Sequence, residues 1–163
     1  KEKGSGPVPG ASISRYLLST LVSRRSSLVS PPEAQMLGSA RIVAFCAVTD
    51  AARAAAFYGG TLGLALRSDD EFALVYDANG VELRLQKVPA LTPQPFTVLG
   101  WQVRSINDAL DALTTAGVVP ERYQWMTQDA RGVWDAPGGT RVAWFKDPDG
   151  NLLSVAETPA GVP

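Results

Sequence analysis

The chain of 163 residues contains no histidine. That absence removes imidazole as a general base, which excludes Ser-His-Asp and Cys-His nucleophile sets. It also removes the commonest nitrogen ligand of transition metals. Cysteine occurs once, at Cys46. A single thiol can form neither an internal disulfide framework nor a cysteine-rich zinc site. It fits a reducing compartment, so a cytoplasmic location is expected. No apolar run reaches the roughly 18 residues a membrane helix needs, and no membrane partner is expected. An excess of charge is also missing, with 15 basic residues against 16 acidic ones. Nucleic acid and anionic membranes therefore have no electrostatic claim on the chain.

The remainder is the composition of a globular protein, with 45% apolar and 19% charged residues. The length suits one domain or two small fused modules. Composition changes near residues 36–40. Residues 1–40 are rich in Ser, Pro and Gly and read as a leader or arm. Within them, residues 12–25 carry Ile13, Tyr16, Leu17 and Leu21 at helical spacing, with Ser, Thr and Arg on the polar face and no acid. That is the composition of a transit peptide, which would place the protein in an organelle. An expression-derived or poorly ordered leader ahead of a start at Met36 fits equally, as does a packed helix or a swapped arm.

From Arg41 the pattern runs β-α-β-β-β and then repeats, which predicts an α+β fold. The first module covers residues 41–88. It has a strand at 41–48, a helix at 51–62 capped by Asp50 and stopped at Gly63, and strands at 65–68, 72–76 and 81–88. Residues 89–96 are a Pro-rich linker. The second module covers 97–158. It has a strand at 97–103, a helix from the Ser105/Asp108 capping pattern to about 116, and strands near 118–125, 132–134, 141–145 and 151–156. Residues 159–163 form a tail. Two anchors align the halves. Val48-Thr49-Asp50 matches Val103-Arg104-Ser105, and Asp77-Ala78-Asn79-Gly80 matches Asp147-Pro148-Asp149-Gly150. The Asn-Gly and Asp-Gly steps tolerate the positive φ of tight hairpins. The second turn carries two acids but lacks the alternating oxygen ligands of a calcium loop, and it reads as a turn.

With these motifs in place, the chain resembles the vicinal oxygen chelate superfamily. This group includes glyoxalase I, extradiol dioxygenases, fosfomycin resistance enzymes and bleomycin resistance proteins. The resemblance is carried by Ala47-Val48-Thr49-Asp50, by Phe57-Tyr58 with Leu62-Gly63-Leu64, and by Phe145-Lys146-Asp147-Pro148-Asp149-Gly150-Asn151. It spans about residues 41–157. Gly59-Gly60 departs from the polar or charged residues usual there. The resemblance implies two βαβββ modules whose mixed sheets curl into a cup, with helices outside, and often a homodimer. It also implies four metal-ligand corners, which fall here on Val43, Arg84, Val98 and Ser154. Valine has no lone pair to donate, and arginine is a fixed cation. Glu82 could reach the site after a two-residue register shift, but one carboxylate is not a site. The expectation is no metal and no cofactor.

Strand alternation puts Glu82, Arg84 and Gln86 on the cup face and Leu83 and Leu85 toward the helices. Arg84 either holds an anionic group of a ligand or pairs with Glu82 to neutralise the cavity. The second module carries Trp101, Tyr123, Trp125, Trp134 and Trp144. Trp134, in a polar and Gly/Pro-rich stretch, is the best rim candidate. Trp101 is out of step with Val98 and turns toward the helices, which puts Gln102 in the cup. Cys46 reads as core. Arg84, Glu82, Tyr123 and Asp135 are the candidates for acid, base or oxyanion roles. Arg84, Gln86, Gln102, Trp134 and Ser154 are the candidates for ligand contact.

Three functions fit these residues. One is a metal-independent binding protein for a small anionic or aromatic organic molecule. Another is a metal-free lyase or isomerase using Arg84 for an oxyanion. The third is an interaction module with a filled cup.

Overall fold

A computed structural model describes residues 37–159, and residues 12–25 lie outside that range. Ahead of Arg41 the described residues form one short 3-10 turn, Leu37–Ser39. Residues 41–159 form one compact unit.

The first module is β1 (Val43–Val48), α1 (Ala51–Ala55), β2 (Ala65–Asp69), β3 (Ala73–Ala78) and β4 (Val81–Lys87). The second is β5 (Leu99–Gln102), α2 (Ile106–Thr115), β6 (Trp134–Asp135), β7 (Arg141–Lys146) and β8 (Leu152–Glu157). Each builds a four-stranded mixed sheet, in the orders β1-β4-β3-β2 and β5-β8-β7-β6. In both, the first strand runs parallel to the last and the other pairs are antiparallel. A parallel pair needs a crossover, and α1 and α2 supply it.

Both helices begin on a side-chain cap. Asp50 accepts from Arg53 N at 2.9 Å, and Ser105 accepts from Asp108 N at 3.2 Å. On α2 the buried residues are Ile106, Leu110 and Leu113, which follow the four- and three-residue spacing of one helix face. The helix expected over residues 51–62 keeps regular geometry only through Ala55. It then widens over Ala56–Thr61 and closes with Leu62 N bonded to Phe57 O at 2.8 Å. That five-residue spacing marks a π-type turn, and Gly59-Gly60 inside it lowers the cost of leaving the α-helix.

Two strand expectations change. Residues 118–125 form no strand. Pro120 cannot donate to a ladder, and one backbone bond, Glu121 N to Trp144 O at 2.7 Å, ties the segment to β7. The Gln128 amide takes over the rest. It accepts from Tyr123 N at 2.8 Å and donates to Glu121 O at 3.1 Å and Gly132 O at 2.7 Å. The two matched turns also differ. Asn79 and Gly80 both have positive φ, 54° and 88°, and close a two-residue hairpin between Ala78 and Val81. The second turn is a five-residue loop between Lys146 and Leu152. The repeat therefore stays in step on β4 and β8 but slips by one residue on β3 and β7.

One core serves both modules. Cys46, Val48, Tyr58, Leu83 and Leu85 from the first join Ile106, Leu110, Phe145, Leu153 and Val155 from the second. The opposite, open face of each sheet is left for a site.

Candidate ligand-binding site

On the first sheet, register fixes the rows of the open face. Phe45, Arg84 and Val75 lie side by side, flanked by Val43, Glu82 and Asp77 on one side and Ala47, Gln86 and Ala73 on the other. Leu83 and Leu85 point the other way and are buried. Arg84 Nη1 donates to Glu82 Oε1 at 3.1 Å, with the arginine side chain one-third exposed. This is its one hydrogen bond among the described residues. Glu82 also lines a cavity of about 220 Å³ with Arg41, Arg67, Val75 and Asp77, at the hairpin end of this face. Gln86 is exposed. Phe45, on the edge strand β1, is 53% exposed and leaves an apolar surface next to Arg84.

On the second sheet the matching row is Gly100, Ser154 and Trp144, with Gln102, Ala156, Val142 and Trp134 in the next. Gly100 lets Ser154 approach closely here. A methyl group on it would come within 2.7 Å of Ser154 Oγ. Without that side chain, Ser154 sits against β5 and is buried. Gln102 is exposed on the same face, while Trp101 turns to the helix side and packs against the core. Val98 stands just ahead of β5, held by Val98 N to Leu152 O at 2.9 Å, and packs against the core as well. Val43 is more open, at 38% exposure.

The aromatic residues converge on this second face. Trp134 and Trp144 lie 6.1 Å apart between ring centres, and Tyr123 meets Trp144 edge-on at 5.7 Å. Trp125 extends the group, 5.4 Å from Tyr123. Trp144 Nε1 donates to Thr97 Oγ1 at 3.0 Å, which fixes its ring. Trp144 was missed as a site residue in the sequence, although its place two residues after Val142 on one strand puts it on the open face. Burial and the nearby Glu121 carboxylate raise the Tyr123 phenol above its ordinary range, so it stays protonated and able to donate. Asp135 pairs with Arg141 at 3.4 Å and is otherwise exposed.

The sequence candidates thus fall into two groups: Glu82, Arg84 and Gln86 on one sheet, and Gln102, Trp134 and Ser154 on the other, with Tyr123 on the loop beside it. No hydrogen bond or ion pair among the described residues joins the groups. The modules are joined instead by the 147–151 loop. The buried Asp147 carboxylate accepts from Tyr58 Oη at 2.9 Å and from Asn151 Nδ2 at 2.8 Å. Asn151 Nδ2 also donates to Ala47 O at 2.8 Å, and Asp149 Oδ1 accepts from Arg53 Nη2 at 2.9 Å and from Thr49. The Asp-Pro-Asp-Gly-Asn loop is therefore a fastener between modules.

A family model described as the Glyoxalase/Bleomycin resistance protein/Dioxygenase superfamily matches residues 40–155. The chain belongs to that superfamily. Solved structures of the superfamily agree in fold. A member from Sphaerobacter thermophilus DSM 20745 is 25% identical, with a TM-score of 0.56 over 71% of this chain and 96% of that one. A genomically encoded fosfomycin resistance protein from Listeria monocytogenes is 14% identical, with a TM-score of 0.58 over 75% and 95%. A lactoylglutathione lyase from Agrobacterium tumefaciens is 15% identical, with a TM-score of 0.57 over 73% and 93%. No curated protein matches the chain.

The resemblance read from the sequence would put the superfamily's metal corners at Val43, Arg84, Val98 and Ser154. This donor set does not fit a catalytic divalent cation. Two hydrocarbons offer no lone pair, a guanidinium repels the ion, and a neutral hydroxyl alone is too weak. Shifting inward along β4 brings in Glu82, which already neutralises Arg84.

Proposed function

We propose that the chain is a metal-independent small-molecule binding protein of the glyoxalase/bleomycin-resistance type. The observation that carries this reading is the Val43, Arg84, Val98 and Ser154 set at the four corners. Arg84 supplies positive charge where relatives would place a cation. Its guanidinium has five N–H donors, and Glu82 accepts from one nitrogen. A carboxylate or comparable anion takes the free donors, with Gln86 alongside. The planar or apolar part of the ligand is matched by Phe45 and by Trp134, Trp144 and Tyr123. The similarity to a fosfomycin resistance protein supports a small organic ligand.

A second reading has one observation in its favour. The Glu82 carboxylate, 3.1 Å from Arg84, is an acid or base beside an oxyanion donor, as a metal-free lyase or isomerase would require. The filled-cup interaction module gains no such support, because Phe45 stands half open.

Calorimetric titration with benzoate and with benzyl alcohol tests the binding reading. Arg84→Ala should weaken benzoate by about tenfold or more and leave benzyl alcohol nearly unchanged. Glu82→Gln should tighten benzoate, since it frees the guanidinium and removes a like charge. Equal loss for both probes in Arg84→Ala would remove Arg84 as the anion contact.

A further inference from the structure

We propose a second small-molecule site, on the helix side of the second sheet, for an uncharged single-ring molecule with one hydrogen-bonding group. It stands apart from the open-face site. A cleft of about 220 Å³ lies at the seam between the modules, where Thr61 and Leu62 of the first face Trp101, Ala112, Phe145 and Val155 of the second. Its walls carry no charged side chain. Apolar cavities of about 150 Å³ accommodate benzene, so this volume takes one ring and a substituent. With no charged partner in the lining, an uncharged molecule is favoured over a charged one.

The sequence creates the space in two ways. The wide turn Ala56–Thr61 ends on Thr61 and Leu62, which form one wall. On α2 the facing residues are Ala109 and Ala112, whose small side chains leave room where a leucine would fill it. The polar side-chain groups in the lining are the Thr61 hydroxyl and the Trp101 indole N–H. Among the described residues neither has a side-chain hydrogen bond, and both remain open to solvent and to a ligand. Thr61 also borders an adjoining cleft of about 360 Å³ that contains Glu121 and Lys146, so its hydroxyl marks the polar end. A phenol or a comparable ring alcohol fits this lining: its oxygen bonds Thr61 while the ring lies against Trp101, Leu62 and Phe145.

The test titrates 4-fluorophenol and fluorobenzene into the full chain labelled with nitrogen-15. The indole N–H signals are read, with Trp101 identified from a Trp101→Phe variant. The expected result is a saturable shift of the Trp101 signal, with those of Trp134 and Trp144 unmoved. The phenol should bind about five-fold tighter than fluorobenzene, and Thr61→Val should abolish that preference. Ala112 is exposed, so Ala112→Leu is compatible with folding. It should suppress the Trp101 shift for both probes and leave benzoate binding intact. A Trp101 signal that never moves would overturn the site. So would a shift that persists in Ala112→Leu, or one confined to Trp134 and Trp144.

Discussion

Four donors converge on the Asp147 carboxylate: the Tyr58 hydroxyl, the Asn151 amide group, and the backbone N–H groups of Asp149 and Asn151. The side chain is buried, so each donor loses water in exchange for this acceptor. Asp147→Asn keeps the shape but turns one acceptor into a donor that faces donors. We expect it to cost about 2–4 kcal/mol, read as a fall in the urea midpoint, with m unchanged. Beside this group, Cys46 Sγ lies 3.7 Å from Tyr58 Oη. Burial pushes the thiol up to about 11, against the smaller pull of the Tyr58 hydrogen bond, and the Asp147 charge adds to the rise. Burial raises the Tyr58 phenol as well, with Cys46 and Asp147 adding to it. Both groups are acids whose neutral form the fold prefers. The unfolded chain therefore gives up its protons first as pH rises, and stability falls. The thiol sets the window at about 9 to 11. Urea midpoints should drop across it, less so in Cys46→Ala. In the folded protein at pH 8, Ellman's reagent should find no reactive thiol until urea is added.

At the scale of elements, the loop over residues 118–133 shows why part of the site escaped the sequence. Its apolar and aromatic run from Val118 to Trp125 has the look of a strand, yet one backbone bond links it to β7. The Gln128 side chain supplies the other pairings, and a single glutamine used as a surrogate strand leaves no periodic trace. Gln128→Ala should open the loop. We expect faster exchange of the Tyr123 amide by about tenfold and weaker binding of an aromatic probe, because Tyr123 would leave the edge of Trp144. Elsewhere the local signals were decisive. Asp50 and Ser105 as caps, Asn79-Gly80 as a two-residue hairpin and the alternation of Glu82 to Gln86 all read correctly because each depends on neighbours in sequence. Two features depended on distant partners and were not legible. The Asp147 loop looked like another tight turn because its acceptors wait for Tyr58, 89 residues away. The one-residue slip between β3 and β7 follows from that same loop, and it places Trp144, not Phe145, on the open face.

For the whole molecule, the superfamily signature lies in the joint between the modules. The residues that carry the resemblance hold the modules together: Tyr58 reaches Asp147, Thr49 reaches Asp149, and Asn151 reaches Ala47 O. None of these contacts involves Val43, Arg84, Val98 or Ser154. On the function proposed above, Arg84 beside the half-open Phe45, and the aromatic group around Trp144, would offer the two open faces an organic ligand's chemistry in place of a cation's. The most direct check is elemental analysis of the purified protein, repeated after dialysis against zinc, nickel, iron and manganese salts. Far less than one equivalent of any of them is expected, with benzoate binding unchanged by chelator. One equivalent of bound metal, with benzoate binding lost on its removal and restored by its return, would contradict it.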